Sequence, residues 1–203
     1  MHLDFGTGDG TYVQRTARAR PDIFVLGVDA SAEAMRPLAR RLAGKPARGG
    51  LTNALLGVLP LAQAPGELAG LVDRLTVLLP WGSLLRAVAL PEPAALLRLR
   101  GLCRPGAALQ VVFGHGEGDG AATEGLAAID DEAAVAGLVR AYRAAGLAVK
   151  ARTRTPQEVA ALGTTWAGKL AFSGRTRGFL ELTGRALGDG DDEGAADGRA
   201  APR

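Results

Sequence analysis

The chain has 203 residues, 47% of them hydrophobic, enough for one domain with a buried core. No apolar run reaches the roughly eighteen residues of a membrane span, no basic-then-apolar leader opens the chain, and the single cysteine, Cys103, excludes an internal disulfide. His2 and His115 are far apart and no cysteine pair exists, so no metal site is expected, and the chain reads as a soluble cytoplasmic protein.

The net charge of +3 conceals an asymmetry. Residues 187–203, "LGDGDDEGAADGRAAPR", hold five acids and two bases, leaving 22 bases and 16 acids, a net +6, in residues 1–186. The acidic tail lacks apolar periodicity and is expected to be disordered. The basic body favours a polyanionic partner, although an arginine-rich composition with solvated side chains gives the same balance.

In chain order, "HLDF" is a short apolar segment followed by "GTGDG", and "TYVQRTARAR" has helical character. "IFVLGVD" (23–29) is a buried strand ending in an acid. "SAEAMRPLARRLAG" reads as a helix capped by Ser31 and ended by Gly44, kinked or shortened by Pro37. A basic, glycine-rich loop, "KPARGGLTN", leads to strands within "ALLGVLPLA" and "RLTVLLP". "PAALLRLRGLC" is a helix, "RPGAALQVVFG" a turn feeding a strand, and "GHGEGDGAATEGLAAID" a linker too glycine-rich for a core element. "DDEAAVAGLVRAYRAAGLAV" is an amphipathic helix running into a strand, "TPQEVAAL" a short helix capped by Thr155 with Pro156 first, and "RGFLELTGRA" a final strand. Alternating strands and helices predict an α/β fold with a mostly parallel sheet and helices on both faces.

Ligands of such sheets bind at the carboxyl ends of the strands, where "LDFGTGDG" lies. Gly6, Gly8 and Gly10 permit close backbone approach. The third glycine is one place early for a dinucleotide turn, and Asp4 is a poor neighbour for phosphate. An acid beside this turn suits a ligand with a cationic amine, such as S-adenosylmethionine. Asp29, ending the second strand, can accept from two ribose hydroxyls; Asp9 reads as a helix cap. Trp81 follows the fourth strand in "LPWGS", where methyltransferases of this fold face the acceptor. The absence of asparagine there argues for a ring nitrogen over an exocyclic amine. Trp166 precedes Lys169, Arg175 and Arg177 within eleven residues, a pairing of ring and cations suited to stacking a base and holding phosphates. Two such rings from distant loops can clamp one base.

Together, "DFGTGDG", "KPARGGLTN", "LLPWGSLLR" and "TTWAGKLAFSGRTRGF" resemble the aminoglycoside-resistance 16S ribosomal RNA methyltransferases that modify N1 of adenine 1408, the Kam and Npm type. The resemblance runs from Asp4 to about Gly184. It implies a Rossmann-like class I S-adenosylmethionine-dependent methyltransferase domain over residues 1–186, releasing S-adenosylhomocysteine and acting as a monomer on the 30S subunit. By the same resemblance Asp4, Gly6, Thr7, Gly8, Asp29, Ala30 and Thr164 hold the cofactor. Trp81 and Trp166 sandwich the flipped adenine, with Ser83 in the target pocket. Lys45, Arg48, Lys169, Arg175 and Arg177 dock on rRNA. Three features depart from the family pattern: the few dozen residues expected before the glycine turn are missing, Ala62 stands where relatives can carry an acid near the cofactor's adenine, and the linker around 114–130 is acidic. Two other readings stay open: the same fold acting on tRNA or a small molecule, or an RNA-binding homologue with weakened cofactor binding.

Overall fold

The structure, a computed structural model, describes residues 1–90, 92–116, 126, 131–172, 177–188 and 191. Seven strands form one sheet in the order β3-β2-β1-β4-β5-β7-β6. They are β1 (His2–Phe5), β2 (Val25–Asp29), β3 (Ala54–Val58), β4 (Val72–Leu78), β5 (Cys103–Gly116), β6 (Leu147–Thr153) and β7 (Arg177–Ala186). The pairs β1–β2, β1–β4, β2–β3 and β4–β5 are parallel, and β7 runs antiparallel to β5 and β6. The strand order reverses beside β1, so a crevice opens above the carboxyl ends of β1, β2 and β4. The glycine turn leaves β1 at that crevice.

Pairing register assigns the two faces. Leu3, Leu75, Leu109 and Leu182 share one face, and with Leu85, Leu96, Leu99 and Tyr142 they form the main core under α3 (Gly82–Ala89), α4 (Pro93–Leu102) and α5 (Glu132–Ala144). On the opposite face α1 (Thr11–Ala19) and α2 (Arg36–Leu42) cover β2 and β3 through Val13, Ala17, Leu38 and Leu56. Farther along that face α6 (Pro156–Ala160) and α7 (Thr165–Ala171) pack Val159 and Ala167 on Leu78, Val112 and Phe179. The expected α/β architecture with helices on both faces is present.

Several local readings change. Helix α2 starts only at Arg36, with Pro37 in its first turn, because proline lacks the N–H that an interior position needs; the shorter helix is the one that forms. The hydroxyl of Ser31 accepts from Glu33 N–H (3.3 Å) instead of capping a helix. Two helices escape the sequence reading, α3 directly after Trp81 and α7 around Trp166. Trp166 therefore stands on a helix, not a loop. Leu187 lies beyond the expected boundary at 186 yet is 6% exposed, and its N–H donates to the Gly146 carbonyl (2.8 Å). Most of the remaining tail and most of the 114–130 linker lie outside the described residues.

Candidate active site

The turn after β1 is held from below and from the side. The N–H groups of Gly6 and Thr7 both donate to the Val28 carbonyl (2.7 and 2.9 Å), lashing the turn to β2. Gly8 N–H donates to Asp29 Oδ2 (2.9 Å), and Ser31 N–H donates to Asp29 Oδ1 (3.1 Å). Gly6, Gly8 and Gly10 all have positive φ, between 59° and 80°, a region that L side chains rarely adopt. A β-carbon on Gly6 would meet Leu84 Cδ2 at 2.6 Å, and one on Gly10 would meet Leu56 Cδ1 at 2.5 Å. The early third glycine thus serves helix-to-sheet packing.

A cavity of about 370 Å³ opens above this turn, of a size suited to a small ligand. Gly6, Gly8, Asp29 and Ala30 form one wall; Leu59 to Ala62 form the next; Leu79, Pro80, Trp81, Ser83 and Leu84 face them, with Trp166 at the rim. Sequence reasoning missed Leu84, Glu92, Ala95 and Arg98, which also line the cavity. No periodic signal marks them, because they reach the crevice only through the packing of α3 and α4.

Asp4, just before the turn, and Thr7, within it, are buried and are not among the lining residues. Asp4 Oδ1 accepts from Thr76 Oγ1 at 2.6 Å. Burial raises the Asp4 carboxyl to about 6, with the Thr76 hydrogen bond acting the other way. The hydroxyl of Thr164 accepts from Ala167 N–H (3.0 Å) and caps α7, so its side chain is engaged in the helix that carries Trp166.

The two indoles meet at this cavity. Each is 55% exposed, and both line the same cavity. Trp81 follows a backbone reversal in which Leu79 has φ of 54°, the single positive-φ non-glycine among the described residues. The Leu79 N–H donates to the Val112 carbonyl (2.7 Å) and the Leu79 side chain is buried, so surrounding packing enforces a conformation that costs roughly 1–3 kcal/mol. The reversal turns Pro80 inward and leaves Trp81 at the crevice, where it precedes the first residue of α3. Trp166 sits in the first turn of α7, with Cδ1 3.8 Å from where a Gly8 β-carbon would lie. Thr165 fastens that helix to the glycine turn by donating to Asp9 Oδ2 (2.5 Å), while Asp9 Oδ1 accepts from Thr11 N–H (3.0 Å).

The cations divide into separate groups. Lys169 Nζ lies 5.3 Å from the Trp166 ring centroid, in cation–π range beside the crevice. Arg177 opens β7, whose pairing with Gly116 puts it at the carboxyl end of β5. Arg175 lies outside the described residues. Lys45 and Arg48 flank a short turn between α2 and β3, at the amino ends of the strands, and are not brought to the cavity. Both are exposed, and the neighbouring Gly49 packs beside Arg41 and Arg18, which makes this a distinct basic patch.

A family model described as NpmA, 16S rRNA (adenine(1408)-N(1))-methyltransferase, matches residues 1–185. A protein of Streptoalloteichus hindustanus named 16S rRNA (adenine(1408)-N(1))-methyltransferase is 37% identical over 190 residues, 90% of this chain and 86% of that protein. Among solved structures, a tryptophan-to-alanine variant of the enzyme of that name from Catenulisporales acidiphilia, with its cosubstrate SAM, superposes with a TM-score of 0.82 at 34% identity, covering 94% of this chain and 87% of that one. The antibiotic-resistance methyltransferase Kmr superposes with a TM-score of 0.75 at 40% identity, covering 92% and 86%.

Proposed function

The chain belongs to the 16S rRNA (adenine(1408)-N(1))-methyltransferase family, and we propose that it transfers a methyl group from S-adenosylmethionine to N1 of adenine 1408 in the assembled 30S subunit. The observation that carries this reading is the convergence of two half-exposed indoles and the glycine turn on one cavity.

The residues suit the cofactor. The positive-φ glycines would let the donor approach the backbone, Asp29 at the cavity would accept from its ribose hydroxyls, and the buried Asp4 would supply negative charge for its amine. When bound, S-adenosylmethionine supplies a methyl group on a cationic sulfonium. N1 of neutral adenine has an in-plane lone pair and needs no base, only alignment and exclusion of water. Trp81 and Trp166 would stack the extruded base from its two faces, and their negative quadrupoles would favour the positive charge that the base acquires. Ser83, exposed at the cavity wall in the first turn of α3, would contact the base edge. The lack of a histidine–carboxylate dyad among the lining residues accords with a reaction that moves no proton. Lys169 beside Trp166 and Arg177 at the carboxyl end of β5 would hold phosphates, with the Lys45–Arg48 patch as a second support. The methylated base would carry a charge and a methyl on its Watson–Crick edge, excluding aminoglycosides that contact that edge.

Incubation with S-adenosylmethionine and purified 30S subunits, followed by primer extension, should give a stop at adenine 1408. Methylation of free tRNA in place of the subunit would overturn the assignment.

A further inference from the structure

Beneath the glycine turn the sheet contains a line of buried polar side chains. His2 and Asp4 on β1 share a face with Thr76 on β4, whose register partner is Asp4. They are 3%, 2% and 0% exposed. The hydroxyl of Thr76 has one proton, which goes to Asp4 Oδ1 at 2.6 Å. Its oxygen is then left to accept from His2 Nε2 at 3.1 Å. This assigns the neutral, Nε2-protonated tautomer to His2, in keeping with a ring that burial and the charges of Arg74 and the N-terminus hold down to about 4. Tyr12 of α1 closes the line with its ring edge-on to His2, centroids 5.8 Å apart. Strand interiors rarely carry an unpaired histidine and a carboxylate; here each polar group is satisfied by the next.

We propose that Thr76 and His2 are positioning residues for the methyl donor, fixing the carboxylate of Asp4 behind the glycine turn so that its charge holds the donor's ammonium group. The proposal rests on the reading of the cavity as a cofactor site. Freely rotating, a buried carboxylate would direct its charge over several orientations. With Oδ1 engaged by Thr76, and Thr76 itself engaged by His2, one orientation is selected. Besides Thr76, the Thr7 side chain favours the ionised carboxylate and the charge of Asp29 on β2 opposes it; the charge of Asp4 in turn acts on Tyr12 of α1, and Arg74 on β4 acts on both His2 and Tyr12. Only the ionised form of Asp4 attracts an ammonium, so affinity for an amine-bearing ligand falls as pH drops through about 6. Removing the Thr76 hydroxyl removes an interaction that favours the ionised form, so the fall moves to higher pH.

The test compares two ligands by calorimetry on the full chain between pH 5.5 and 8. S-adenosylhomocysteine carries the amine; 5′-methylthioadenosine keeps the nucleoside and lacks it. Thr76→Val should weaken S-adenosylhomocysteine roughly 3- to 10-fold at pH 7, the scale of one lost hydrogen bond, and raise the pH at which its binding falls. Thr76→Ser should restore both, and methylthioadenosine should bind every variant alike. His2→Leu should move S-adenosylhomocysteine in the same direction by less, and it carries the test should Thr76→Val fail to fold. Wild-type affinity and pH dependence in Thr76→Val would overturn the proposal, as would equal weakening of both ligands, which marks a general structural role. Failure of the wild-type protein to bind either ligand would instead refute the cofactor site itself.

Discussion

Replacing either indole by alanine separates stacking from folding. Each ring is 55% exposed, so truncation returns less than half of its surface to water. Taking a fully buried tryptophan as roughly 250 Å² and about 25 cal/mol per Å², the loss is at most about 3 kcal/mol, tolerable for a domain of ordinary stability of about 5–15 kcal/mol. Neither ring donates a hydrogen bond to the turn: Gly8 is held by Asp29, and Gly6 and Thr7 by Val28. S-adenosylhomocysteine should therefore bind Trp81→Ala and Trp166→Ala nearly as it binds the wild type. Methyl transfer should collapse, because one stacked face contributes roughly 1–3 kcal/mol, or about 5- to 150-fold, to holding the extruded adenine. Removing both should leave no primer-extension stop above background. The assay is single-turnover methylation of 30S subunits, with calorimetry and thermal melts alongside. A wild-type rate in either variant would refute the clamp, and loss of cofactor binding in parallel with rate would show that the rings support the pocket instead.

Gly6→Ala should lower cofactor affinity at least tenfold in calorimetry, since the new methyl meets Leu84 and the residue must keep φ of 80°; a companion Leu84→Ala should relieve the clash and leave the backbone strain, so full rescue would refute the strain argument. Lys169→Ala should weaken 30S binding and flatten its salt dependence by about one phosphate contact, and an unchanged slope would place Lys169 away from the backbone of the RNA. His2 and Asp4 should offset each other in the pH dependence of unliganded stability. Native His2 refuses a proton until about pH 4 that the unfolded chain takes near 6.5, so acidification through this range costs stability; native Asp4 takes a proton near 6 that the unfolded chain refuses until about 3.8, so acidification restores it. Asp4→Asn should thus lose melting temperature between pH 6.5 and 4.5 more steeply than wild type, and equal slopes would refute the pairing.

The strands and the turn chemistry were legible in the sequence because their signals are local. "RGFLELTGRA" coincides with β7, and Thr155 followed by Pro156 marks the start of α6, where Glu158 completes a capping box. Helix α3 was not legible: Trp81 at its start has no side-chain cap, and its apolar content merges with that of β4. Helix α7 is only seven residues and depends on packing against Val159 and Phe179. The site was legible in its parts and not in its assembly. Asp29 announced a ribose acceptor, but its hold on Gly8 appears only when β2 lies beside the turn. Thr164, which the resemblance assigns to the cofactor, also caps α7, a role visible only once that helix forms; Glu92 and Arg98 carried no motif and line the cavity. Contacts such as His2 with Thr76, 74 residues apart, follow from strand order, which no short motif encodes.

Asp9, itself part of the glycine turn, has one carboxylate oxygen on the Thr11 N–H at the start of α1 and the other on Thr165, one residue before Trp166. A shift of the turn on donor binding would thereby reach Trp166, the ring proposed to receive the base. Thermodynamic linkage makes such coupling reciprocal: to whatever extent the nucleoside donor tightens the grip on RNA, RNA tightens the grip on the donor by the same factor. Severing the tether would turn two mutually reinforcing binding events into independent ones.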